Sequence, residues 1–175
     1  MDITRRRFVL TSMTMLAAPK HAWSGEPCAD WDLWKRMFLL PDGRVVDTDN
    51  GGITHSEGQA YGMILATAFD DQATFELVWR WTRQTLRRED ALFAWKYLST
   101  ATSGAVAEWN NAADADLMIA WALLRAAERW ARHDLAEEAK TVASAIARLL
   151  IVEEPFGLVL RPGLSGFQFP DRRIA

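Results

Sequence analysis

The sequence is poor in cysteine and histidine, and this limits the chemistry that it supports. Cys28 is the single cysteine among 175 residues, so no intrachain disulfide can form. The three histidines, His21, His55 and His133, are widely separated, and with one thiol they lack the spacing of a structural zinc site. No glycine-rich loop joins a strand to a helix, and no serine lies in a nucleophile elbow. The sequence therefore gives no support to a disulfide scaffold, a zinc finger, a nucleotide-binding fold or an α/β-hydrolase.

Positive charge does not predominate outside the first residues. Residues 1–24 carry four basic side chains against Asp2 alone, which leaves 16 basic and 22 acidic residues in the other 151. Nucleic-acid binding depends on clustered lysine and arginine, so we expect no nucleic-acid partner. Half of the residues are hydrophobic and a quarter are charged, which is typical of one folded globular domain.

The first 24 residues have the order of an export signal. Arginines at positions 5–7 precede a short apolar stretch, and small residues follow at 22 and 24. The stretch is too short to span a hydrocarbon core of about 30 Å, and segment 4–10 resembles the twin-arginine signature. Cys28 lacks a lipidation box, so no membrane anchor is expected. The sequence predicts a signal peptide over 1–24 and a periplasmic or secreted protein; the alternative is a basic tail on a cytosolic protein.

Apolar residues beyond position 25 recur mainly with the 3.6-residue period of helices. Ser56 and Gln59 match a capping box at the start of one helix. Residues 88–111 lack the period and are expected to form a long irregular connection, and turns are expected after Pro155. The fold class is therefore all-α, with antiparallel helices joined by short loops. The period predicts five helices, over about 28–39, 56–68, 71–87, 114–131 and 134–151.

Tryptophan is abundant, with nine residues in the chain. The helix over 114–131 is apolar on nearly all sides, which predicts that other elements surround it. Trp95 and Trp109 lie in the irregular connection, and flat indole faces fit the C–H faces of sugar rings. These two are therefore the candidates for a ligand surface. Four others have the spacing of helix core positions and are expected to pack inside: Trp79, Trp81, Trp121 and Trp130.

Three carboxylates lie at predicted helix starts, namely Glu57, Asp114 and Asp116. Carboxylates in a first turn usually complement the helix dipole or cap open N–H groups. Asp114 and Asp116 are two positions apart and point to different sides of the helix, so one can cap while the other faces a cleft. From the residues alone, a structural and a catalytic role both stay open.

Two longer segments surround these carboxylates. The first is Thr-His-Ser-Glu-Gly-Gln-Ala-Tyr-Gly-Met at 54–63, and the second is Ala-Ala-Asp-Ala-Asp-Leu-Met-Ile-Ala-Trp-Ala-Leu-Leu at 112–124, with Trp130 beyond it. Both resemble signatures of family 8 of the glycoside hydrolases, the cellulase D family. Ala113 departs from the second signature, which has Ser or Thr at that position. The resemblance runs from about residue 28 to 167.

This resemblance implies an (α/α)6 toroid of the six-hairpin type, with residues 25–175 as the N-terminal part of its catalytic domain. It further implies an endo-β-1,4-glucanase, or cellulase, that inverts configuration and needs neither metal nor cofactor. The expected partners are a β-1,4-glucan and, through family members that accompany bacterial cellulose synthase, the synthase complex. Position by position, Glu57 matches the general acid and Asp114 the active-site aspartate, with Tyr61, Trp95 and Asp116 as substrate-binding positions.

The proton chemistry of this assignment contains a conflict. A general acid must keep its proton near neutral pH, whereas the positive end of a helix favours the charged carboxylate. The negative charge of Asp114 and desolvation by aromatic walls would oppose the helix. We therefore expect Glu57 and Asp114 to face one cleft.

An inverting glycosidase also needs a second carboxylate as base, roughly 6.5–9.5 Å from the acid. The resemblance places that base in the second half of the barrel, and Asp171 lies in a polar tail without a matching motif. Five helices cannot close a ring of six helix pairs, so the sequence predicts the first half of an enzyme with an exposed apolar face. A catalytically impaired glucan-binding fragment and a helical scaffold for protein partners are the alternatives.

Overall fold

The computed structural model describes residues 29–99 and 104–167. The predicted signal peptide, Cys28 and Asp171 lie outside these ranges. Within the described ranges the chain is mostly helical, with two small antiparallel sheets. In chain order the elements are α1 (Ala29–Phe38), β1 (Thr54–His55), α2 (Ser56–Ala68), α3 (Gln72–Thr85), β2 (Ala94–Ser99), β3 (Gly104–Asn111), α4 (Ala113–Trp130), α5 (His133–Leu149), β4 (Ile151–Glu154) and β5 (Gly157–Leu160).

The five predicted helices are confirmed, and local sequence explains where they begin and end. Asp71 caps α3, because its carboxylate accepts a hydrogen bond from the Thr74 N–H at 3.0 Å. α4 ends where Ala131 takes a left-handed conformation with a φ of 53°. Among the described helices, none is long and apolar enough to cross a bilayer.

The core lies between α2, α3, α4 and α5. α2 packs against both α3 and α4, and α4 packs against α5. Several of the fully buried residues on α2 and α4 are alanines, which allow two helices to approach closely. Larger side chains fill the space around them: Met63, Phe75, Phe93, Ile119 and Leu123.

Residues 88–111, predicted as an irregular connection, contain a β-hairpin instead. β2 pairs with β1 on one side and with β3 on the other, all antiparallel. The register shifts twice between Ala94 and Tyr97, so β3 carries extra residues that break the alternation of polar and apolar side chains. This broken period is why the sequence pattern hid the strands. The sheet has a direct consequence for the site, because β1 runs straight into α2 and β3 runs almost straight into α4.

The segment after α5, predicted as turns, also begins with a hairpin. β4 and β5 pair in register from Ile151 with Leu160 to Glu154 with Gly157. Gly157 has a φ of 129° at the turn, a conformation that favours glycine. Pro155 therefore marks the tip of a hairpin and not the start of irregular chain.

The predicted capping box at the start of α2 is wrong. His55 is the N-cap residue, without a side-chain cap, and Ser56 Oγ is buried with no hydrogen-bond partner among the described residues. Gln59 turns away from the helix end: its Oε1 accepts from the Val45 N–H at 2.5 Å, and its Nε2 donates to Thr82 Oγ1 at 2.8 Å. The amide thus joins the loop before β1 to α3, because a buried polar group needs partners wherever the fold offers them.

The outer side of α4 also differs from the expectation. Leu117, Trp121 and Leu124 are between 44% and 55% exposed and form an apolar stripe along the helix. The prediction that Trp121 packs in the core is therefore wrong, whereas Trp79 is buried as expected and Trp81 and Trp130 are half-buried. An exposed apolar face was expected, and this stripe supplies one.

Candidate active site

Tyr61 connects the two carboxylates that the sequence singled out. Glu57 lies in the first turn of α2 and Asp114 in the first turn of α4. The pKa of Tyr61 lies above its ordinary value for four reasons. In decreasing order, these are the charge of Glu57, a hydrogen bond from the phenol to the Glu57 carboxylate, desolvation and the charge of Asp114. Both carboxylates are therefore close enough to act on the same phenol. The structure brings Glu57, Tyr61 and Asp114 to one surface at the starts of two packed helices.

A cavity of about 510 Å³ opens beside this cluster. Glu57 is half-buried in its wall, and the exposed ring of Tyr61 lies next to it. Apolar and aromatic side chains of α1 and α2 form one wall, and the acidic turn before β1 forms another. Such a mixed lining suits a ligand with both apolar faces and hydroxyl groups. The lining residues are Trp34, Phe38, Val45, Val46, Asp47, Thr48, Asp49, His55, Glu57, Gly58, Tyr61, Ile64 and Leu65.

His55 and Asp47 were not singled out from the sequence, yet both line this cavity. His55 Nδ1 lies 3.7 Å from Asp47 Oδ2. A hydrogen bond from Asn50, with smaller contributions from backbone N–H groups and from His55, lowers the pKa of Asp47. The position of His55 directly before Ser56 and Glu57 is the sequence signal that could have identified it.

Trp95 extends the same wall through His55. The two rings lie nearly parallel, with 8° between their planes and 5.8 Å between their centroids. Trp95 Nε1 donates to Glu108 Oε2 at 2.9 Å, and the Lys96 ammonium lies 5.2 Å from the centroid of the indole. The half-buried indole is thus held by neighbours from all three strands of the sheet.

Asp116, predicted to bind substrate, does not lie in the groove. Its side chain is fully buried and accepts hydrogen bonds from the Phe93 N–H at 2.9 Å and from Asn111 Nδ2 at 2.7 Å. Burial raises the pKa of Asp116 to about 7, although these hydrogen bonds act in the opposite direction. Asn111 Oδ1 in turn accepts from the Leu164 N–H at 2.8 Å. Asp116 therefore anchors the first turn of α4 to Phe93 and Asn111. It faces inward because this side of the turn is part of the core.

Acidic side chains are present at the site, but they are dispersed. Within residues 29–99 and 104–167, no three His, Cys, Asp or Glu side chains are grouped so that they could hold a metal ion. What the arrangement offers is a carboxyl group that is hydrogen-bonded to a phenol, a second exposed carboxylate nearby and an aromatic wall. This combination is suited to proton transfer to a sugar ligand.

Known proteins resemble this chain in sequence and in fold. The family model for glycosyl hydrolases family 8 matches residues 1–172. A probable endoglucanase of Novacetimonas hansenii is 41% identical over 145 residues, which cover 82% of this chain and 42% of that protein. An endoglucanase of Cellulomonas uda is 35% identical over 164 residues, which cover 93% of this chain and 44% of that protein.

Solved structures give the same result. An endoglucanase of glycosyl hydrolase family 8 from Klebsiella pneumoniae superimposes with a TM-score of 0.77 at 39% identity, over 81% of this chain and 46% of that chain. An endo-β-1,4-glucanase from Acetobacter xylinum superimposes with a TM-score of 0.75 at 40% identity, over 80% of this chain and 44% of that chain. These neighbours are (α/α)6 barrels, so the described helices form part of such a barrel. The chain spans less than half the length of these relatives.

Proposed function

Because the chain belongs to family 8 of the glycosyl hydrolases, we propose that it serves the hydrolysis of internal β-1,4-glucosidic bonds, with Glu57 as the general acid. The observation that carries this proposal is the convergence of Glu57 and Asp114 on Tyr61 beside an aromatic-walled cavity. The relatives named above as endoglucanases support the choice of a β-1,4-glucan as substrate.

In this mechanism the Glu57 carboxyl group gives its proton to the glycosidic oxygen as the bond to the anomeric carbon breaks. The Tyr61 phenol donates a hydrogen bond to the Glu57 carboxylate and so orients it. Asp114 is exposed, and its Oδ1 accepts from the Ala115 N–H at 2.9 Å; its Oδ2 would accept from a sugar hydroxyl. Trp34, Phe38 and Tyr61 offer the apolar surfaces on which sugar rings rest.

Inversion needs a base that activates water on the opposite face of the sugar, roughly 6.5–9.5 Å from the acid. The family resemblance assigns the base to a later part of the barrel, and this chain covers less than half the length of its relatives. We therefore propose that these residues supply the acid side of the site. If they bind glucan without cleaving it, the catalytically impaired glucan-binding fragment is the correct description.

The test compares hydrolysis with binding on the 175-residue chain. Release of reducing sugar from carboxymethyl cellulose and binding of cellohexaose are measured for the unaltered chain, for Glu57→Gln and for Glu128→Gln, an exposed control on α4. We expect Glu57→Gln to lower hydrolysis by at least about 100-fold, as loss of a general acid does, while cellohexaose still binds. Hydrolysis that survives Glu57→Gln would contradict the proposal. Binding with no hydrolysis in any variant would favour the glucan-binding alternative.

We also propose that the chain is exported and acts in the periplasm in support of bacterial cellulose synthesis. The order of arginines, apolar residues and small residues over positions 5–24 supports export. Substituting lysine for Arg5 and Arg6 should retain the protein in the cytoplasm, as cell fractionation would measure. Equal periplasmic amounts of this variant and the unaltered chain would contradict export by the twin-arginine route.

A further inference from the structure

Trp109 lies in a second concave surface that the proposed reaction does not use. Trp109 is 56% exposed. With residues 87–90 it lines a cavity of about 490 Å³. This cavity and the one beside Glu57 share no lining residue.

A bulge in the hairpin sets the position of this tryptophan. Ala94 pairs with Asn111 and Lys96 with Glu108, so that Trp109 and Asn110 together oppose Trp95. A bulge of this kind redirects side chains and is frequent next to functional sites. Asn110 is held by its own contacts, since its Nδ2 donates to the Ser165 carbonyl at 2.9 Å and its Oδ1 accepts from the Ser165 N–H at 3.1 Å. The bulge thus holds Asn110 against the chain and leaves Trp109 exposed.

Next to this cavity lies a second depression, of about 430 Å³, along α5. The two share Glu89 and Asp90, and the second adds hydroxyl and charged groups such as Ser144 and Lys140. We call these two adjoining depressions the Trp109 surface. An extended ligand with several repeating units can contact both depressions at once, which a single small molecule does not.

The charges on the Trp109 surface identify the kind of ligand. Its lining contains four basic and three acidic side chains, so neither sign dominates. Three of the four basic groups are already paired: Arg87 with Glu138 at 2.5 Å, Arg88 with Asp90 at 2.8 Å, and Lys140 with Glu137 at 4.0 Å. Paired guanidinium groups attract a polyanion weakly, but they and their carboxylates still hydrogen-bond to hydroxyl groups. An exposed indole beside balanced polar groups is suited to a neutral sugar chain.

We propose that the Trp109 surface is a second polysaccharide-binding site, separate from the groove beside Glu57, that takes a neutral glucan chain. The identification of the bound polysaccharide as β-1,4-glucan rests on the proposed function. That the ligand is neutral and is a sugar follows from the lining itself. Such a site would hold an insoluble substrate while the groove engages one strand of it.

The experiment compares two tryptophans of similar exposure in the full 175-residue chain. Binding to swollen insoluble cellulose is measured by depletion for Trp109→Ala and for Trp121→Ala, whose indole is 48% exposed on α4. Both carry Glu57→Gln so that no substrate is consumed. We expect Trp109→Ala to weaken binding at least about tenfold, because a central aromatic anchor carries much of a binding energy. Trp121→Ala should bind as Glu57→Gln alone does, and Trp109→Phe should restore most of the binding.

Equal losses for Trp109→Ala and Trp121→Ala, or no loss for either, would overturn the proposal. The proposal would also be overturned if polygalacturonate, a polyanion, released the protein from cellulose more effectively than a soluble neutral glucan does. Thermal unfolding of each variant separates a lost contact from a lost fold. Cellohexaose binding to the groove, which Trp109→Ala should not alter, tests the proposed function separately. A loss confined to insoluble cellulose supports the second site even if Glu57 proves not to be the acid.

Discussion

The imidazole of His55 lies parallel to the indole of Trp95, with an angle of 8° between the rings and 5.8 Å between their centroids. His55 is also part of the cavity wall beside Glu57. The stack therefore joins the predicted sugar platform at Trp95 to the predicted acid. It rests on β1 and β2, which pair at His55 and Lys96.

Removal of the imidazole should loosen Trp95 and weaken glucan binding. We expect His55→Ala to raise the dissociation constant for cellohexaose about three- to tenfold, since an aromatic pair contributes about 0.5–1.5 kcal/mol. His55→Phe keeps the stacking and should bind nearly as the unaltered chain does. Fluorescence titration with cellohexaose measures both variants. A dissociation constant unchanged in His55→Ala would show that the stack does not position Trp95.

The hydrogen bond between Tyr61 and Glu57 can be tested by titration, because the chain contains two tyrosines, Tyr61 and Tyr97. Tyr97→Phe leaves Tyr61 as the single phenol in an ultraviolet titration. We expect its pKa to lie above the ordinary value for tyrosine, because the negative charge of Glu57 disfavours the phenolate. Adding Glu57→Gln should lower this pKa clearly, and adding Asp114→Asn should lower it less. If neither substitution shifts the titration, the two carboxylates do not converge on Tyr61.

Burial of Asp116 predicts a pH-dependent stability. Its pKa of about 7 in the folded chain exceeds the value of about 4 expected when unfolded. The folded chain therefore keeps a proton that the unfolded chain releases, and the free energy of unfolding falls as pH rises from about 4 to 7. The slope for one proton is up to about 1.4 kcal/mol per pH unit.

Asp116→Asn cannot ionise and should lose this slope, as urea unfolding at several pH values would measure. Asp134→Asn is the control, because hydrogen bonds from Arg132 lower the pKa of Asp134 to about 2, below the window. The pH dependence of Asp134→Asn between pH 4.5 and 7 should therefore match that of the unaltered chain. Identical slopes for the unaltered chain and Asp116→Asn would contradict the burial argument.

Gln59 is expected to matter for stability and not as part of a helix cap. Gln59→Ala leaves the Val45 N–H and the Gly43 carbonyl without their partner in a buried site. Each unsatisfied group costs about 1–3 kcal/mol, so we expect a loss of about 3 kcal/mol in the free energy of unfolding. Gln84→Ala, at an exposed position of α3, should stay within about 0.5 kcal/mol. Equal effects in urea unfolding would show that the amide bridge is not important.

Gly43 and Gly51 allow a matched test of backbone strain. Both have positive φ angles, of 98° and 73°, but a Cβ on Gly43 would lie 2.3 Å from the Leu77 carbonyl oxygen, while a Cβ on Gly51 would meet nothing within 4 Å. We expect Gly51→Ala to cost about 1 kcal/mol, the ordinary left-handed penalty. Gly43→Ala should cost at least about 2 kcal/mol more, because the loop must move away from α3. Similar melting temperatures for the two variants would contradict this contact.

The helices could be predicted from the sequence because burial imposes the 3.6-residue period on them. The hairpin could not, since its register shifts and its tryptophans, Trp95 and Trp109, remove the two-residue alternation that indicates strands. Ser56 and Gln59 matched a capping pattern, but long-range hydrogen bonds to Val45 and Thr82 take the amide elsewhere.

Glu57, Tyr61 and Asp114 were predicted as site residues from two motifs, and in the structure both carboxylates lie near Tyr61. Asp116 shares a motif with Asp114, yet two positions of rotation along α4 turn it into the core. His55 was not predicted as a site residue because a single histidine forms no recognisable motif. Which side of a helix or strand faces the core depends on the elements that pack against it, and the sequence alone does not identify those elements.

The sheet that precedes both helices acts as a spacer between Glu57 and Asp114. β1 ends at His55, directly before α2, and a single residue, Ala112, separates β3 from α4. Changes in chain length therefore have unequal effects on the two sides of the hairpin. An insertion between Ser99 and Gly104, at the far end, leaves both carboxylates in place. One extra residue beside Ala112 would rotate Asp114 by about 100° around the helix axis and point it away from Tyr61.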